Sequence, residues 1–148
     1  MGERGDQMGK VVVEIEVSND RDEGKAEDGL IRPDQVRRAK LQALADTGAT
    51  LLVLPEDLIQ RLGLPMLRRV NTRLANGAVE ARAVLGPVRL KVLNRLVAVE
   101  ALCGPAGMPP LLGQIPLESL DFHVDSRNQK LIPNPEAPDP EMALVDVF

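Results

Sequence analysis

Alternating apolar and polar positions run through most of the chain and predict β-strands. The first strand is predicted over Lys10–Ser18, where apolar residues recur with the period of two that is typical of a half-buried strand. Similar β-rich segments follow along the chain: Val36–Ala45, Leu51–Leu54, Val70–Ala83, Val88–Val92, Leu96–Leu102, Phe122–Asp125 and Lys130–Ile132. The pattern therefore predicts an all-β fold with one or two short helices.

Two segments depart from the β pattern. Residues 55–63 predict a short helix, because Pro55 suits its start, acidic residues follow in the first turn and Gly63 suits a left-handed end. Residues 19–35 are rich in charge and poor in apolar side chains, so we expect an exposed loop there. Long loops often carry function, and a substrate-contacting or regulatory insertion is the alternative interpretation.

Glycine positions predict where the strands turn. Asn76-Gly77 lies between two alternating segments and predicts a tight type I′ hairpin, in which both central residues need positive φ. Gly86-Pro87 is expected to break the chain before the next antiparallel pair.

The candidate chemistry lies in Leu41–Pro55, an apolar run with Asp46-Thr47-Gly48 in its middle. Burial of an unpaired carboxylate costs too much free energy, so Asp46 must be hydrogen-bonded, paired or partly protonated. Asp-Thr-Gly is a good turn, since Asp and Thr bond nearby backbone and Gly allows positive φ. We therefore expect the carboxylate on a rigid loop between two strands.

The segment Leu44–Thr50 resembles the catalytic loop of the retropepsins, the retroviral-type aspartic proteases, and especially of their small bacterial relatives. A second part of that family's pattern follows in order: the apolar-apolar-Gly strand of Leu111-Leu112-Gly113, a short helix at 114–120 and a final strand from 121. The resemblance covers residues 11–133 and implies a closed β-barrel of the acid protease type.

The resemblance also implies the reaction. Retropepsins hydrolyse peptide bonds with two carboxylates that share a proton, and this chain has one Asp-Thr-Gly. The second acid is therefore expected from a second subunit, so that Asp46 meets Asp46 of the partner across a two-fold axis. Two like charges so close cannot both stay ionised, which implies a mildly acidic optimum.

Further roles follow from the same resemblance. Thr47 would lock the two loops together across the axis, Gly48 would offer its N–H to the carboxylate, and Ala49 and Thr50 complete the match. Leu111-Leu112-Gly113 would support the loop from beneath. The hairpin at 68–83 would be a flap that closes over a peptide, with its contacts at the tip: Leu74, Ala75, Asn76, Gly77 and Ala78.

Composition and charge limit the partners. The aromatic content of 1% provides no surface for stacking bases, and a net charge of −4 disfavours nucleic acid. Cys103 is the single cysteine, so no intrachain disulfide can form, and a reducing compartment is the simpler interpretation. No apolar run approaches the roughly 20 residues of a membrane helix, and we expect a cytoplasmic protein without membrane or cofactor.

Other polar residues are given ordinary roles. Asp121 and Asp125 lack an Asp-Thr-Gly context and are interpreted as strand-end residues. His123 is the single histidine, with no acid or cysteine cluster at ligand spacing, so no metal site is predicted. A Ser-His-Asp arrangement is not favoured, because no Gly-x-Ser-x-Gly segment accompanies His123.

The domain organisation and two alternatives complete the expectations. Residues 1–9 are expected to be a flexible terminus, 10–133 the protease domain, and 134–148 a Pro-rich tail whose apolar end is a possible dimer strand. One alternative is a catalytically silent retropepsin-like dimerisation or peptide-binding module. The other is an unrelated β-barrel that binds a small ligand and in which Asp-Thr-Gly is a coincidental turn.

Overall fold

The computed structural model describes residues 11–147, which form one large sheet, a separate hairpin and short helices. The predicted flexible terminus at 1–9 and the final Phe148 lie outside the described residues. The elements are β1 (Val11–Asn19), α1 (Asp20–Glu27), a 3-10 turn (Pro33–Gln35), β2 (Arg38–Ala45), β3 (Leu52–Pro55), α2 (Glu56–Leu62), β4 (Met66–Arg73), β5 (Val79–Val92), β6 (Arg95–Gly104), β7 (Leu111–Leu112), α3 (Gln114–Leu120), β8 (Phe122–Asp125) and β9 (Lys130–Pro133).

The large sheet closes on itself. β1 pairs antiparallel with β2 at one edge and with β5 at the other, so the order β1-β2-β7-β3-β6-β5 returns to its start, and β4 extends from β5. The predicted all-β fold class is confirmed as a ring-like sheet with few short helices. Apart from Phe122 its core is aliphatic, and fully buried side chains include Ile15, Leu52, Leu54, Leu90 and Leu112. Each such side chain stabilises the fold by about 1.5–3 kcal/mol.

The segment 19–35 is not the exposed loop that its composition predicts, because α1 occupies most of it. Asn19 caps this helix, accepting a hydrogen bond from the Asp22 N–H at 3.1 Å, and its amide donates to the Leu62 carbonyl at 2.9 Å. Charged residues attach α1 to the sheet: Arg89 of β5 pairs with Asp20 at 2.8 Å and with Glu27 at 2.6 Å. Ion pairs and a cap therefore take the place of an apolar helix face.

Two turn predictions are also corrected. The type I′ turn is wrong, since Gly77 alone of Asn76 and Gly77 has positive φ, and the turn closes through the Gly77 N–H to the Leu74 carbonyl at 2.9 Å. Gly86-Pro87 does not break the chain, because β5 continues through it with a register shift against β6. The Gly86 N–H, which β6 does not pair there, donates instead to the Pro65 carbonyl at 3.0 Å.

The helix predicted at 55–63 is confirmed as α2, with Pro55 as its N-cap and Gly63 ending it at φ 63°. Within residues 11–147, no helix has the length and apolar character needed to cross a membrane.

Asp22 connects α1 to the start of β2. Its carboxylate accepts hydrogen bonds from the Arg37 side chain at 2.8 and 3.0 Å and from the Arg37 N–H at 3.1 Å. The Arg37 hydrogen bonds lower the pKa of Asp22 below its ordinary value, in spite of the opposing effect of burial. This charge-assisted pair therefore fixes α1 against the start of β2.

Replacement of Asp22 by Asn should lower the free energy of unfolding by about 1–2 kcal/mol, because charge-assisted hydrogen bonds are lost. Since the folded-state pKa is lowered, this stabilisation is present above pH 3.8, the ordinary value, and is lost as pH falls below it. Urea unfolding at several pH values measures the difference. Asp28→Asn, at an exposed position just after α1, should cause no loss; an equal loss in both variants would contradict the assignment.

The tail that follows β9 is docked on the body of the protein. The Asp121 carboxylate accepts a hydrogen bond from the Leu144 N–H at 2.8 Å, and buried Arg95 donates to the Pro140 carbonyl at 2.7 Å. Within the described part of the tail no strand forms, and Met142 is among several exposed apolar side chains. The pairing of this tail with a second subunit therefore stays a prediction.

Candidate active site

The loop between β2 and β3 presents Asp46 to solvent. Asp46 follows β2 directly and its side chain is exposed, so the buried carboxylate expected from its apolar surroundings is absent from the single chain. The Gly48 N–H donates to Asp46 Oδ1 at 2.9 Å, and the Ala49 N–H donates to the Asp46 carbonyl at 3.1 Å. Backbone groups of the loop thus orient the carboxylate, as Asp-Thr-Gly turn chemistry predicts.

The short strand β7 holds both sides of this loop. It pairs in parallel with the end of β2 and antiparallel with β3, and the Asp46 N–H donates to the Leu112 carbonyl at 2.9 Å. Just beyond β7, the Gln114 N–H donates to Ala49 at 2.8 Å and the Ile115 N–H to Thr50 at 2.9 Å. The loop is therefore fixed by backbone hydrogen bonds to a segment far along the chain.

Gly113 lies where the loop and β7 approach most closely. A Cβ atom at this position would be 2.3 Å from the Leu51 carbonyl oxygen and 2.8 Å from the Ala49 carbonyl oxygen. Its φ of −85° is accessible to any residue, so space rather than backbone conformation requires glycine here.

Two cavities flank the loop. The first, of about 610 Å³, is lined by Ala45, Asp46 and Thr47 together with α3 and β8, and we call it the Asp46 cavity. The second, of about 560 Å³, is bounded by residues 48–51 of the loop, by β4, and by Val53, Leu102 and Ile115, and we call it the β4 cleft.

The other carboxylates that line the Asp46 cavity are already bonded elsewhere. Glu118 accepts a hydrogen bond from the Gln114 amide at 2.7 Å. Asp121 accepts bonds from the Asn134 amide at 3.2 Å and, as noted, from the tail backbone. Among the described residues, Asp46 is the one carboxylate of this cavity that is bonded only within its own loop.

The predicted flap is a hairpin of β4 and β5, but its tip does not line either cavity. Arg68 and residues 70–73 of β4 line the cleft, whereas Leu74, Ala75, Asn76, Gly77 and Ala78 do not. The tip residues are exposed, and the Leu74 N–H donates to the Ala78 carbonyl at 2.7 Å. The structure thus brings together the loop, β7 and β4, while the substrate contacts of the tip stay a prediction.

The remaining candidates have local roles. Asp125 accepts two hydrogen bonds from Asn128, which lower the pKa of Asp125. His123 is exposed on β8 and lines the Asp46 cavity. Burial raises the pKa of the Cys103 thiol, which disfavours a reactive thiolate. Within residues 11–147 no three His, Cys, Asp or Glu side chains are grouped as metal ligands would be.

Sequence reasoning missed the charged residues of the β4 cleft, Arg68 and Arg73. Their strand was recognised, but which face of β4 meets the cleft depends on its register with β5. The period of two along β4, counted from Val70 as an inward-facing position, places Arg68 on the same face of the strand. It places Arg73 on the opposite face, so this pattern gives no signal for Arg73.

The closed sheet and the Asp-Thr-Gly loop held by β7 together define an acid protease fold of the retropepsin type. The family model for the gag-polyprotein putative aspartyl protease matches residues 35–119, more than half of the chain, and the chain belongs to this family. The match includes both parts of the pattern recognised in the sequence, the Asp46 loop and Leu111-Leu112-Gly113. A search of curated proteins gave no match.

Proposed function

We propose that this protein is an aspartic endopeptidase whose active site is completed by a second copy of the chain. In the homodimer, the two Asp46 carboxylates meet on a two-fold axis and hydrolyse peptide bonds. The observation that carries the proposal is the Asp46 loop: an exposed carboxylate, oriented by the Gly48 N–H and fixed by β7, in a chain of an aspartyl protease family.

The number of available carboxylates supports an active site that is shared between two subunits. General acid–base hydrolysis of a peptide bond needs one carboxylate that takes a proton from water and another that donates a proton to the scissile carbonyl. Glu118 and Asp121, the other acids of the Asp46 cavity, are bonded to other groups. A symmetric partner supplies a second Asp46 with the same orientation, because an isologous interface repeats each contact.

The other residues of the loop hold the two Asp46 carboxylates in position. Thr47, which is exposed beside Asp46, contacts the partner's loop, and the Gly48 N–H keeps each carboxylate directed towards the attacking water. Ala49 and Thr50 accept hydrogen bonds from Gln114 and Ile115, so the carboxylates keep their geometry when a peptide binds. Precise placement of reacting groups provides much of an enzyme's rate enhancement.

The β4–β5 hairpin binds the substrate. β4 is the terminal strand of the sheet, so one of its edges has no strand partner in the described chain, and it lies along the β4 cleft. An extended peptide can add its backbone to such an edge, and the apolar residues of the cleft can receive its side chains. Closure of the hairpin tip over the peptide excludes water from the dyad.

A mixing experiment tests the shared dyad. Wild-type protein and Asp46→Asn protein are unfolded together in equal amounts and refolded, and peptidase activity is measured against the same mass of wild type. If each site needs both subunits, random association leaves about one quarter of the activity. Refolding of wild type with an equal mass of Asp57→Asn, which alters an acid of α2, should leave the activity undiminished.

A result of one half would contradict the shared site, because it would mean that each chain cleaves independently. Sedimentation of the wild-type protein as a monomer under the conditions of cleavage would also contradict it. Absence of cleavage in a protein shown to be dimeric would favour a silent dimerisation or peptide-binding module.

A further inference from the structure

The β4 cleft carries positive charge in a protein whose net charge is −4. Its lining includes two charged residues, Arg68 and Arg73, both on β4. The other lining residues are small, polar or apolar, and none is acidic. The charge of the cleft is therefore opposite in sign to the charge of the whole chain.

The charge of Arg68 is already neutralised. Its guanidinium lies 2.8 Å from Glu100 Oε1, on the adjacent strand β6. Hydrogen bonding to Arg68 lowers the pKa of Glu100, which keeps this carboxylate ionised at mildly acidic pH. A substrate carboxylate would have to compete with Glu100 for Arg68.

The charge of Arg73 has no such partner. Arg73 is the last residue of β4, is exposed, and forms no ion pair with any residue of the described range. A guanidinium offers a planar fork of donors that matches a carboxylate in a bidentate arrangement. When a peptide covers Arg73, the cost of removing its water is offset only if the peptide provides an anionic or strongly accepting group.

We infer that the β4 cleft selects peptides with an Asp or Glu side chain in the segment that lies against β4, and that Arg73 determines this specificity. The inference rests on the proposed function and names its substrate class: acidic side chains at the Arg73 position, with aliphatic neighbours against Leu51, Val53 and Leu102. Arg73 acts on substrate binding and takes no part in proton transfer.

The test uses paired peptides that differ by one group, Glu against Gln or Asp against Asn, at each position around cleavage sites found in a peptide library. At about pH 5.5 ordinary Asp and Glu are ionised, so each pair compares a charge with a neutral isostere. Wild type should cleave the acidic member about three- to ten-fold faster in kcat/KM at one position, and less so at high salt. Arg73→Gln should remove the preference, and Arg73→Glu should reverse it, so that the neutral member of the pair is cleaved faster.

Arg69 provides a matched control. It is an exposed arginine on the same strand, without an ion pair in the described residues, and it does not line the cleft. Arg69→Glu changes the net charge as Arg73→Glu does, so it should leave the charge preference unchanged. Equal loss of preference in both variants would assign the effect to the general field of the protein and overturn the role of Arg73.

Binding of the same labelled peptides to Asp46→Asn protein separates this inference from the proposed function. Cleavage without a charge preference would overturn the inference and leave the proposed function standing. Charge-dependent binding without cleavage by wild type would keep the inference and overturn the peptidase. Neither cleavage nor binding would overturn both.

Discussion

Replacement of Asp46 by Asn should abolish peptide-bond cleavage and leave the fold and the dimer intact. The Asn oxygen can still accept the Gly48 N–H bond that Asp46 Oδ1 accepts at 2.9 Å, and the loop remains bonded to β7. An amide, however, can neither take a proton from water nor share one with the partner's carboxylate. We expect kcat/KM to fall by about a thousand-fold or more.

The measurement is cleavage of a peptide library between about pH 4 and 7, the range in which a carboxylate dyad is active. Thermal unfolding and sedimentation of the same samples should show no loss of stability or of dimer, since the variant removes a repulsion between like charges. Asp57→Asn should retain wild-type activity, because Asp57 lies at the start of α2 and bonds the Gly107 N–H. Peptidase activity that persists in pure Asp46→Asn protein would disprove the proposed mechanism.

Substitution of Gly113 by Ala should impair both stability and activity. The added methyl group would lie 2.3 Å from the Leu51 carbonyl oxygen and 2.8 Å from that of Ala49, so backbone must move. Forced displacement in a packed site costs about 1–3 kcal/mol of unfolding free energy. Because the displaced carbonyls belong to the Asp46 loop, kcat/KM should fall by about a hundred-fold, the loss expected of a misplaced catalytic group.

Gly24→Ala is the control for this variant. Gly24 lies inside α1 with no atom within 4 Å of the added Cβ, and alanine favours a helix over glycine by about 0.5–1 kcal/mol. Gly24→Ala should therefore stabilise the protein slightly and cleave at the wild-type rate. If Gly113→Ala unfolded at the same urea concentration as wild type and remained fully active, the close contact between Gly113 and the Asp46 loop would not be needed for function.

The closed sheet was predictable because its strands carry their own signal. β1 and β6 are buried on one face, so an apolar residue recurs at every second position. This local pattern is sufficient to predict a strand. The Asp46 loop was predictable for a different reason. Its chemical groups lie in consecutive residues, and the strand that supports it has a short, recognisable sequence motif, Leu111-Leu112-Gly113.

Helix α1 could not be predicted because its stabilising partners lie elsewhere in the chain. Its own residues are polar, and a polar segment without a buried face is ordinarily a loop. The contacts that order it are Asp22 with Arg37 and Arg89 with Asp20, and pairings of this kind depend on the assembled sheet. Because the paired residues are far apart in the sequence, a local sequence pattern cannot indicate these ion pairs.

The prediction of a break at Gly86-Pro87 was wrong for a related reason. A Gly-Pro pair ends most strands, but here the adjoining register shift against β6 lets the ladder resume at Val88. The charge of the β4 cleft depends on register as well. A shift of one residue would exchange Arg73 for a neighbour and give the cleft a different preference.

The dependence of the Asp46 loop on β7 has a consequence during protein synthesis. A ribosome completes the Asp-Thr-Gly segment well before it adds the backbone groups that fix this segment, because those groups, from Leu112 to Ile115, lie about 60 residues further along the chain. Chains are made from the N-terminus at about 5–20 residues per second, so the nascent polypeptide carries the carboxylate for several seconds without its support. If the chain cleaves peptides as proposed, its active-site loop becomes ordered only after β7 has been made, and a shorter nascent chain should lack activity.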